Sequence, residues 1–512
     1  MGNKLKNAVM ERFLGAESSV SQLAEVEGGE DALVLLQMIQ ETVIEIGEMI
    51  ERRVSDSDAV ILVLENLAEE IYETSRLERY KDERSREKLV SQLKKARDMV
   101  VSALEGVYEI LFLPYKASMW DALESVYLEA ADCTDCNVRV MPVPYYHVTE
   151  DRTALEKEYE GTMFPDNIPI TDYREYHLAT ELPDVIFIHN PYDDKNSVTS
   201  LPEQYFSSEL KKYTDHLVYV PYKVCSGKVK EFYCVMPGVK NAWRVFVQSE
   251  QVREVYLKYY QPEKIVATGS PKIDKVVRNA VHKPQMPDTW SDAVWGRKVF
   301  LLNTHLNQII NQAENMLLAL EEIISIFEKR KAGAVIWRPH PLSIETAKAK
   351  NPAILQYYQE IIKRFQMLNN AVYDETPDPQ LAIALADAYI GDKSSLVTMF
   401  GVTGKPVFIR EIELLGQSVV SCWEQQNVQK RLEEISVNRR LKSVYYERDI
   451  SVEAYVDMVL DGVDILAEKR KPEFSRLAWN TQGDAGKQIW ECVKSELNAV
   501  EENHGQCNYL HL

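Results

Sequence analysis

From Tyr108 onward, short apolar runs alternate with helix-like stretches, and this alternation constrains the fold more than any other feature of the sequence. Strands that are separated by helices form parallel sheets, because a parallel pair needs a long crossover connection. The runs typical of strands are 108–113, 138–143, 185–189, 217–220, 245–248 and 264–267. The pattern therefore predicts a doubly wound α/β domain over residues 107–278.

The same alternation starts again after a polar, proline-containing stretch, 279–297, which we interpret as a linker. The second set of predicted strands is 299–302, 335–337, 372–373, 388–390 and 407–409, with helices over 308–329, 355–365, 379–386 and 395–402. We predict a second doubly wound domain over 298–415, followed by C-terminal helices and a polar tail over 416–512. Two such domains are expected to bind a ligand in a cleft between them, at the carboxyl ends of their strands.

The first 106 residues follow a helical pattern instead. Apolar residues recur every three or four positions, with Asp31 as the predicted N-cap of the first run: Ala32, Leu35, Ile39, Val43, Ile46 and Ile50. Two further runs of this kind cover 60–71 and 89–104. We favour a solvated helical bundle, and a partner-binding or dimerising arm is the alternative.

Charge and cysteine usage exclude some classes of function. The net charge of -20 argues against a nucleic-acid-binding protein, which needs a basic face, although a local basic pocket can still bind an anion. Cys133 and Cys136 form the only CxxC, and chance is favoured over a zinc or redox role, so no metal site is predicted. Without a signal peptide or a long apolar run, a cytoplasmic location is expected.

One segment suited to a phosphate lies where a predicted strand meets a helix. Asp392, Lys393, Ser394 and Ser395 are found at this junction. The first N–H groups of a helix are unpaired and lie at its positive end, and serine hydroxyls add donors. A phosphate site and a simple N-cap serine are equally compatible with this spacing.

A second segment places two cationic or titratable side chains just after a strand. Arg338 and His340 are separated by Pro339 and followed by Pro341, and the two prolines stiffen the turn. A guanidinium can bind a phosphate through two hydrogen bonds, and an imidazole can donate to a phosphate oxygen or transfer a proton. A surface turn without a ligand is the alternative.

Further candidates follow other strands. His189 and His305 lie at strand ends, where a catalytic base belongs, although a packed structural role is the alternative for His189. Gly269 and Pro271 shape a turn after the last strand of the first domain, and Asp274 is predicted to cap the helix that follows.

The order of these motifs is more specific than any one of them. Thr268-Gly-Ser-Pro-Lys-Ile-Asp, Arg338-Pro-His-Pro, Asp392-Lys-Ser-Ser and Gly404-Lys-Pro together resemble the CDP-glycerol glycerophosphotransferase family of teichoic-acid-type glycerol phosphate transferases. The resemblance implies a GT-B-like fold with two Rossmann-like domains facing a cleft, to which the N-terminal helical region is added. It also implies donor-phosphate contacts from Arg338, His340, Ser394 and Ser395.

The resemblance implies an activity as well. The enzyme would transfer glycerol phosphate, or a related alditol phosphate, from a CDP-linked donor bound by the second domain to a polyol-phosphate or glycan acceptor, releasing CMP in cell-wall polymer synthesis. No cofactor is evident, and Mg²⁺ could bind through the donor pyrophosphate. Contact with the inner face of the membrane and oligomerisation through the N-terminal helices are left open.

Departures from the family pattern leave alternatives open. The family's Trp-His-Gly, whose histidine is the proposed base, corresponds here to a stretch around Tyr219 to Lys228 that has no histidine. His189, His305 or His340 could supply a catalytic group. A GT-B glycosyltransferase that uses a nucleotide sugar, or a catalytically lapsed binding or scaffold protein, are the alternative functions.

Overall fold

A computed structural model describes residues 4–26, 28–149, 151, 153–226, 229–392, 394–409, 412–413, 440–441, 451–464 and 467–508. The chain divides into two compact units. The first comprises 1–220, 235–245 and 487–512, and the second comprises 221–234 and 246–486. Within the described part of the chain, no helix combines the length and the apolar character needed to cross a bilayer.

The first unit begins with four helices that share one apolar core: α1 Lys4–Gln22, α2 Gly29–Arg53, α3 Asp58–Arg76 and α4 Glu83–Ala103. The apolar repeat predicted only three of them. Asp31 is not the N-cap of α2, because the helix begins two residues earlier, after Gly28. Asp31 instead lies in the first turn, where its negative charge favours the positive end of the helix.

The next sheet along the chain has six strands, in the order β2-β1-β5-β7-β8-β9. Its strands are β1 Tyr108–Leu113, β2 Cys136–Val140, β5 Val185–Ile188, β7 His216–Tyr219, β8 Arg244–Val247 and β9 Ile265–Ala267. The helices of this region are α5 Glu124–Ala131, α6 Leu178–Glu181, α7 Ser207–Leu210, α8 Pro237–Asn241 and α9 Glu250–Tyr256. The pairs β1–β2, β1–β5, β5–β7 and β7–β8 are parallel, as the sequence predicts.

A small antiparallel sheet, with the order β4-β3-β6, was not predicted. Its strands are β3 Tyr145–Val148, β4 Ala154–Glu158 and β6 Thr199–Ser200. All five residues of β4 are exposed, so this strand lacks the apolar alternation from which a strand is usually recognised.

The second unit contains a five-stranded parallel sheet with the order β12-β11-β10-β13-β14. Its strands are β10 Lys298–Thr304, β11 Gly333–Pro339, β12 Ala371–Tyr373, β13 Ala388–Gly391 and β14 Val407–Ile409, and a separate antiparallel pair comprises β15 Ile412–Glu413 and β16 Arg440–Leu441. The helices up to this point are α10 Pro271–Val281, α11 Asp288–Val294, α12 Leu306–Asn311, α13 Ala313–Lys329, α14 Ser343–Lys350, α15 Leu355–Gln366, α16 Gln380–Leu385 and α17 Ser395–Gly401. The C-terminal helices are α18 Val452–Leu460, α19 Ala467–Leu477 and α20 Ala485–Asn508. The predicted α/β class with two parallel sheets and added N-terminal helices is confirmed.

Both faces of the second sheet are buried. Phe300, Leu302 and Trp337 pack into one apolar cluster. Leu301 and Ile336, which are adjacent to them along β10 and β11, pack into another. Alternate residues of a strand point to opposite faces, so a strand covered on both sides is apolar throughout. This explains why its strands were visible as continuous apolar runs.

A buried ion-pair network joins α2 to the start of the first sheet. Arg53, the last residue of α2, is paired with Asp184 and lies 3.5 Å from a carboxylate oxygen of Glu109. The three side chains are at most 4% exposed. Arg139 donates to the other Glu109 oxygen at 2.7 Å, and Asp184 accepts the Glu109 backbone N–H at 2.8 Å. The guanidinium of Arg53 thus compensates two buried carboxylates.

Candidate functional site

Three of the predicted site residues follow directly on three neighbouring strands of the second sheet. His305 follows β10, His340 follows β11 and Asp392 follows β13. The central strand β10 pairs with both of the others, so the three strands end at the same edge of the sheet. Ligands of parallel α/β sheets bind at this edge, outside the carboxyl ends of the strands.

The two histidine rings lie close together and are held in the same way. Their centroids are 5.8 Å apart, with an interplanar angle of 83°. Nδ1 of His305 accepts a hydrogen bond from the backbone N–H of Asn307, and Nδ1 of His340 accepts one from that of Leu342, each at 3.2 Å. A neutral imidazole that accepts at Nδ1 carries its proton on Nε2, so each ring presents an Nε2–H donor.

Burial lowers the pKa of both rings. For His305, burial outweighs the opposing effect of the Asp392 carboxylate, and the charge of Lys223 lowers the pKa further. For His340, the neighbouring His305 and Arg338 add to the effect of burial. Both rings are therefore neutral at neutral pH, and an anion bound at Nε2 would raise their pKa again.

Asp392 positions His305. The Asp392 side chain is 2% exposed, and its Oδ2 accepts the backbone N–H of His305 at 2.8 Å. The backbone N–H of Asp392 donates in turn to the carbonyl of Asn303 at 3.1 Å. The carboxylate thus fixes the strand end that carries the imidazole.

Asn303 links the strand ends to α17. Its Oδ1 accepts from the Tyr389 hydroxyl at 3.1 Å and from the Ser394 hydroxyl at 3.0 Å. Ser394 is the N-cap of α17, where its Oγ accepts the N–H of Leu396 at 3.2 Å. Ser394 is therefore an N-cap, and a phosphate contact from it stays a prediction.

The two neighbours of Ser394, Lys393 and Ser395, were also predicted to contact a phosphate. Ser395 is the first residue of α17, which has seven residues, and its side chain is exposed. Lys393 lies outside the described residues. The phosphate contacts predicted for these two side chains stay predictions.

Arg338 is buried and paired within the protein. One terminal nitrogen donates to Asp374 at 2.7 Å and to the Thr376 hydroxyl at 3.1 Å, and the other donates to the Thr376 carbonyl at 2.7 Å. The guanidinium thus anchors the loop after β12. Its predicted contact with a donor phosphate would compete with these bonds and stays a prediction.

His189 is fully buried in the first unit. Its Nε2 accepts the backbone N–H of Tyr115 at 3.1 Å, and its ring lies 5.6 Å from the Tyr115 ring. This contact ties the end of β5 to the turn after β1, which fits the structural alternative. The catalytic role of His189 stays a prediction.

The turn motif after β9 forms as expected, but Asp274 has another role. Gly269 has a φ of +97°, and Pro271 is the first residue of α10. Asp274 does not cap α10, because that helix begins three residues earlier. Its two carboxylate oxygens accept the N–H groups of Ala485 and Gly486 at 3.0 and 2.7 Å, so it caps the start of α20.

Sequence reasoning missed three residues of the second unit. Asn303 lies two residues before His305, and its bridging role depends on tertiary contacts. Lys223 acts on the pKa of His305, and its Nζ donates to the Tyr233 hydroxyl at 2.9 Å. Gly391 pairs with Asn303 across the sheet, and nothing in its local sequence signals how closely the two backbones approach.

Gly391→Ala is expected to reduce the free energy of unfolding by about 1–3 kcal/mol, the range for overpacking a core. A Cβ at this position would lie 2.5 Å from the Asn303 carbonyl oxygen and 2.9 Å from its nitrogen, and a backbone pair cannot move apart cheaply. Urea unfolding measures the change. Gly15→Ala is the matched control, because nothing lies within 4 Å of its Cβ position and alanine favours a helix. Equal stability of the two variants would contradict the close approach.

The first unit has a separate cavity at the carboxyl ends of β1 and β5. Its lining includes Leu113, Tyr115, Ile188, Asn190, Asp193 and Tyr205. Asp193 accepts the backbone N–H of Ser207 at 3.0 Å and its hydroxyl at 2.7 Å. Burial nevertheless raises the pKa of Asp193 to about 6.

Asp193→Asn is expected to change the pH dependence of stability. A carboxyl whose pKa is raised on folding stabilises the protein below its unfolded pKa of 3.8 and loses that contribution as pH rises through about 6. The wild type should therefore lose up to about 3 kcal/mol relative to the variant between about pH 4 and pH 7, at 1.36 kcal/mol per pKa unit. Thermal unfolding of dilute protein across this range tests it. A gap that is independent of pH, or one that Asp194→Asn reproduces, would contradict the assignment.

The sequence and the fold can both be compared with those of known proteins. No family model matches the chain. No curated protein matches it either. Among solved structures, a protein assigned as a UDP-N-acetylglucosamine 2-epimerase from Listeria monocytogenes is 13% identical with a TM-score of 0.48, over 77% of this chain and 97% of that one.

Two further solved structures are similar. UDP-GlcNAc 2-epimerase from Neisseria meningitidis bound to UDP-GlcNAc is 11% identical with a TM-score of 0.42, over 76% of this chain and 100% of that one. The wall teichoic acid polymerase TagF is 12% identical with a TM-score of 0.44, over 81% of this chain and 95% of that one. These values are too low to assign a family or an activity.

Proposed function

We propose that the protein is a transferase that moves glycerol phosphate, or a related alditol phosphate, from a CDP-linked donor to an acceptor hydroxyl and releases CMP. The observation that carries the proposal is the pair His305 and His340, which presents two Nε2–H donors at the ligand-binding edge of the second sheet. The order of the motifs around this pair supports the choice of donor.

The pair suits binding of a pyrophosphate better than proton abstraction. A general base needs a free lone pair, and in the tautomer set by Asn307 and Leu342 each Nε2 already carries a proton. Two neutral donors can bind phosphate oxygens that have no protons of their own. The charge of Lys223, which acts on His305, would add to the attraction.

The reaction needs little covalent help from the protein. The acceptor oxygen attacks the β-phosphorus, a new P–O bond forms, and the bond from that phosphorus to the bridging oxygen breaks. CMP leaves with the bridging oxygen as a phosphate that needs no proton at neutral pH, and the proton of the acceptor hydroxyl is released to solvent. Positioning and neutralisation of charge on the phosphoryl oxygens therefore account for most of the catalysis.

A CDP-alditol donor implies a cellular role for the reaction. A polyol-phosphate or glycan acceptor would make this a step in the synthesis of a cell-wall or surface polymer, on the cytoplasmic side of the membrane. Mg²⁺ could accompany the donor through its pyrophosphate oxygens.

Nucleotide release tests the proposal. The purified protein is incubated with CDP-glycerol, CDP-ribitol or UDP-glucose and a polyol-phosphate acceptor, and the nucleotides are separated by chromatography. Release of CMP from a CDP-alditol, dependent on the acceptor, is expected. Release of UDP from UDP-glucose instead would make the protein a sugar transferase, and binding of donors without any release would make it a binding protein.

A further inference from the structure

The CxxC of the first unit lies in a tight turn between α5 and β2. The backbone N–H of Cys136 donates to the carbonyl of Cys133 at 3.3 Å, which closes the turn. The two sulfur atoms and a carboxylate oxygen of Asp135 lie within 4.8 Å of one another. Two thiols and a carboxylate therefore converge within four residues of chain.

A cation from the C-terminal helix already lies against this group. The Lys494 ammonium is paired with Asp135, lies 3.7 Å from Sγ of Cys136 and sits 4.1 Å from the centre of the Tyr108 ring. One turn earlier on α20, the indole N–H of Trp490 donates to Sγ of Cys133 at 3.1 Å. Both sulfur atoms and the carboxylate thus face positive charge or a donor.

We propose that Cys133, Asp135 and Cys136 form a binding site for a soft divalent cation such as Zn²⁺, in which the Lys494 ammonium is a built-in competitor. Thiolate sulfur with one carboxylate oxygen is a ligand set that zinc accepts, and a water molecule can complete four ligands. The indole N–H of Trp490 would support a metal-bound thiolate, as outer-shell donors commonly do.

This site is separate from the proposed transferase chemistry. It lies at the start of β2, beside Tyr108 at the start of β1, whereas ligands of a parallel sheet bind at the opposite, carboxyl ends of the strands. Because all three proposed ligands lie in the turn, a bound metal would replace the ion pair between Asp135 and Lys494 of α20, while the hydrogen bond from Trp490 to Cys133 would still hold α20 against this edge of the first unit.

Binding has a defined balance of protons and charge. The metal ion forms two bonds to sulfur, two thiol protons are released to solvent, and the ammonium moves away from Asp135. Metal affinity should therefore rise with pH, because the ligands must be deprotonated.

Cobalt(II) is the probe, because its thiolate complexes absorb in the near ultraviolet. The full-length protein, kept reduced with a phosphine, is titrated with Co²⁺ and then with Zn²⁺. We expect a sulfur-to-cobalt band that Zn²⁺ removes, that is absent from Cys133→Ser/Cys136→Ser, and that persists in the control Cys225→Ser/Cys234→Ser. Lys494→Met removes the competitor but keeps the contact with Tyr108, and should bind Co²⁺ about tenfold more tightly, or about 1.4 kcal/mol.

Three results would overturn the site. The first is that neither the wild type nor Lys494→Met shows the sulfur-to-cobalt band, although circular dichroism shows that both are folded. The second is a band that survives Cys133→Ser/Cys136→Ser. The third is mass spectrometry showing that the two cysteines form a disulfide that the phosphine does not reduce.

Discussion

Replacing His305 and His340 together with asparagine is expected to weaken the binding of CDP-glycerol by about a hundredfold or more. A hydrogen bond to a charged group contributes about 1.5–3 kcal/mol, and this variant loses two of them. The asparagine Oδ1 can still accept the N–H of Asn307 or Leu342, as Nδ1 does in the wild type, so the strand ends keep their turns. Nothing in the shorter side chain reaches the position of Nε2.

Glutamine at the same two positions is the matched control. Its longer side chain can place an amide N–H near the position of Nε2, so we expect the double glutamine variant to retain most of the affinity. Titration calorimetry with CDP-glycerol, and with CMP for comparison, measures both variants. Asparagine and glutamine variants that bind with the affinity of the wild type would show that the phosphates lie elsewhere.

Arg53→Met is expected to lower the free energy of unfolding of the first unit by about 3–5 kcal/mol, the cost of removing one partner from a buried ion pair. Asp184 would then lose the charge of Arg53, and Glu109 would keep only that of Arg139, in a site where the side chains of Arg53, Glu109 and Asp184 are at most 4% exposed. Methionine retains much of the apolar volume, so the loss reflects charge rather than a cavity. Urea unfolding followed by tryptophan fluorescence measures it.

The neighbouring Arg52 provides the control for this prediction. Its side chain is 45% exposed and pairs with Glu181 at 3.3 Å, so Arg52→Met should change stability by less than about 1 kcal/mol. The pKa of Glu109 is already raised by burial, against the opposing charges of Arg53 and Arg139, and losing Arg53 raises it further. The deficit of Arg53→Met should therefore shrink as pH falls and Glu109 takes up a proton. A deficit as small as that of Arg52→Met would contradict the network.

The parallel sheets could be predicted because their strands are buried on both faces. Tyr108–Leu113 and Val407–Ile409 have the predicted bounds, since each is an apolar run limited by polar or turn residues. The exposed strand β4 gave no such signal. The predicted helix over 308–329 is interrupted at Gln312, which has a φ of -145°, and the apolar periodicity on its two sides conceals the break.

The position of the candidate site could be predicted, but the hydrogen bonds and ion pairs around it could not. His305, His340 and Asp392 were found because each follows a strand, and the ends of parallel strands converge. The pairing of Arg338 with Asp374 spans 36 residues, and the capping of α20 by Asp274 spans 211. Such contacts depend on tertiary packing, and single-sequence patterns carry no information about them.

Nitrogen NMR of histidine-labelled protein at neutral pH, without and with CDP-glycerol, shows whether His305 and His340 bind the donor. The resonances of His305 and His340 are assigned from the single asparagine variants. We predict that both rings are neutral with the proton on Nε2, and that the donor shifts both Nε2 resonances and raises both pKa values. Rings protonated on Nδ1, or Nε2 resonances that a saturating donor leaves unchanged, would contradict the claim that this pair holds the donor phosphates.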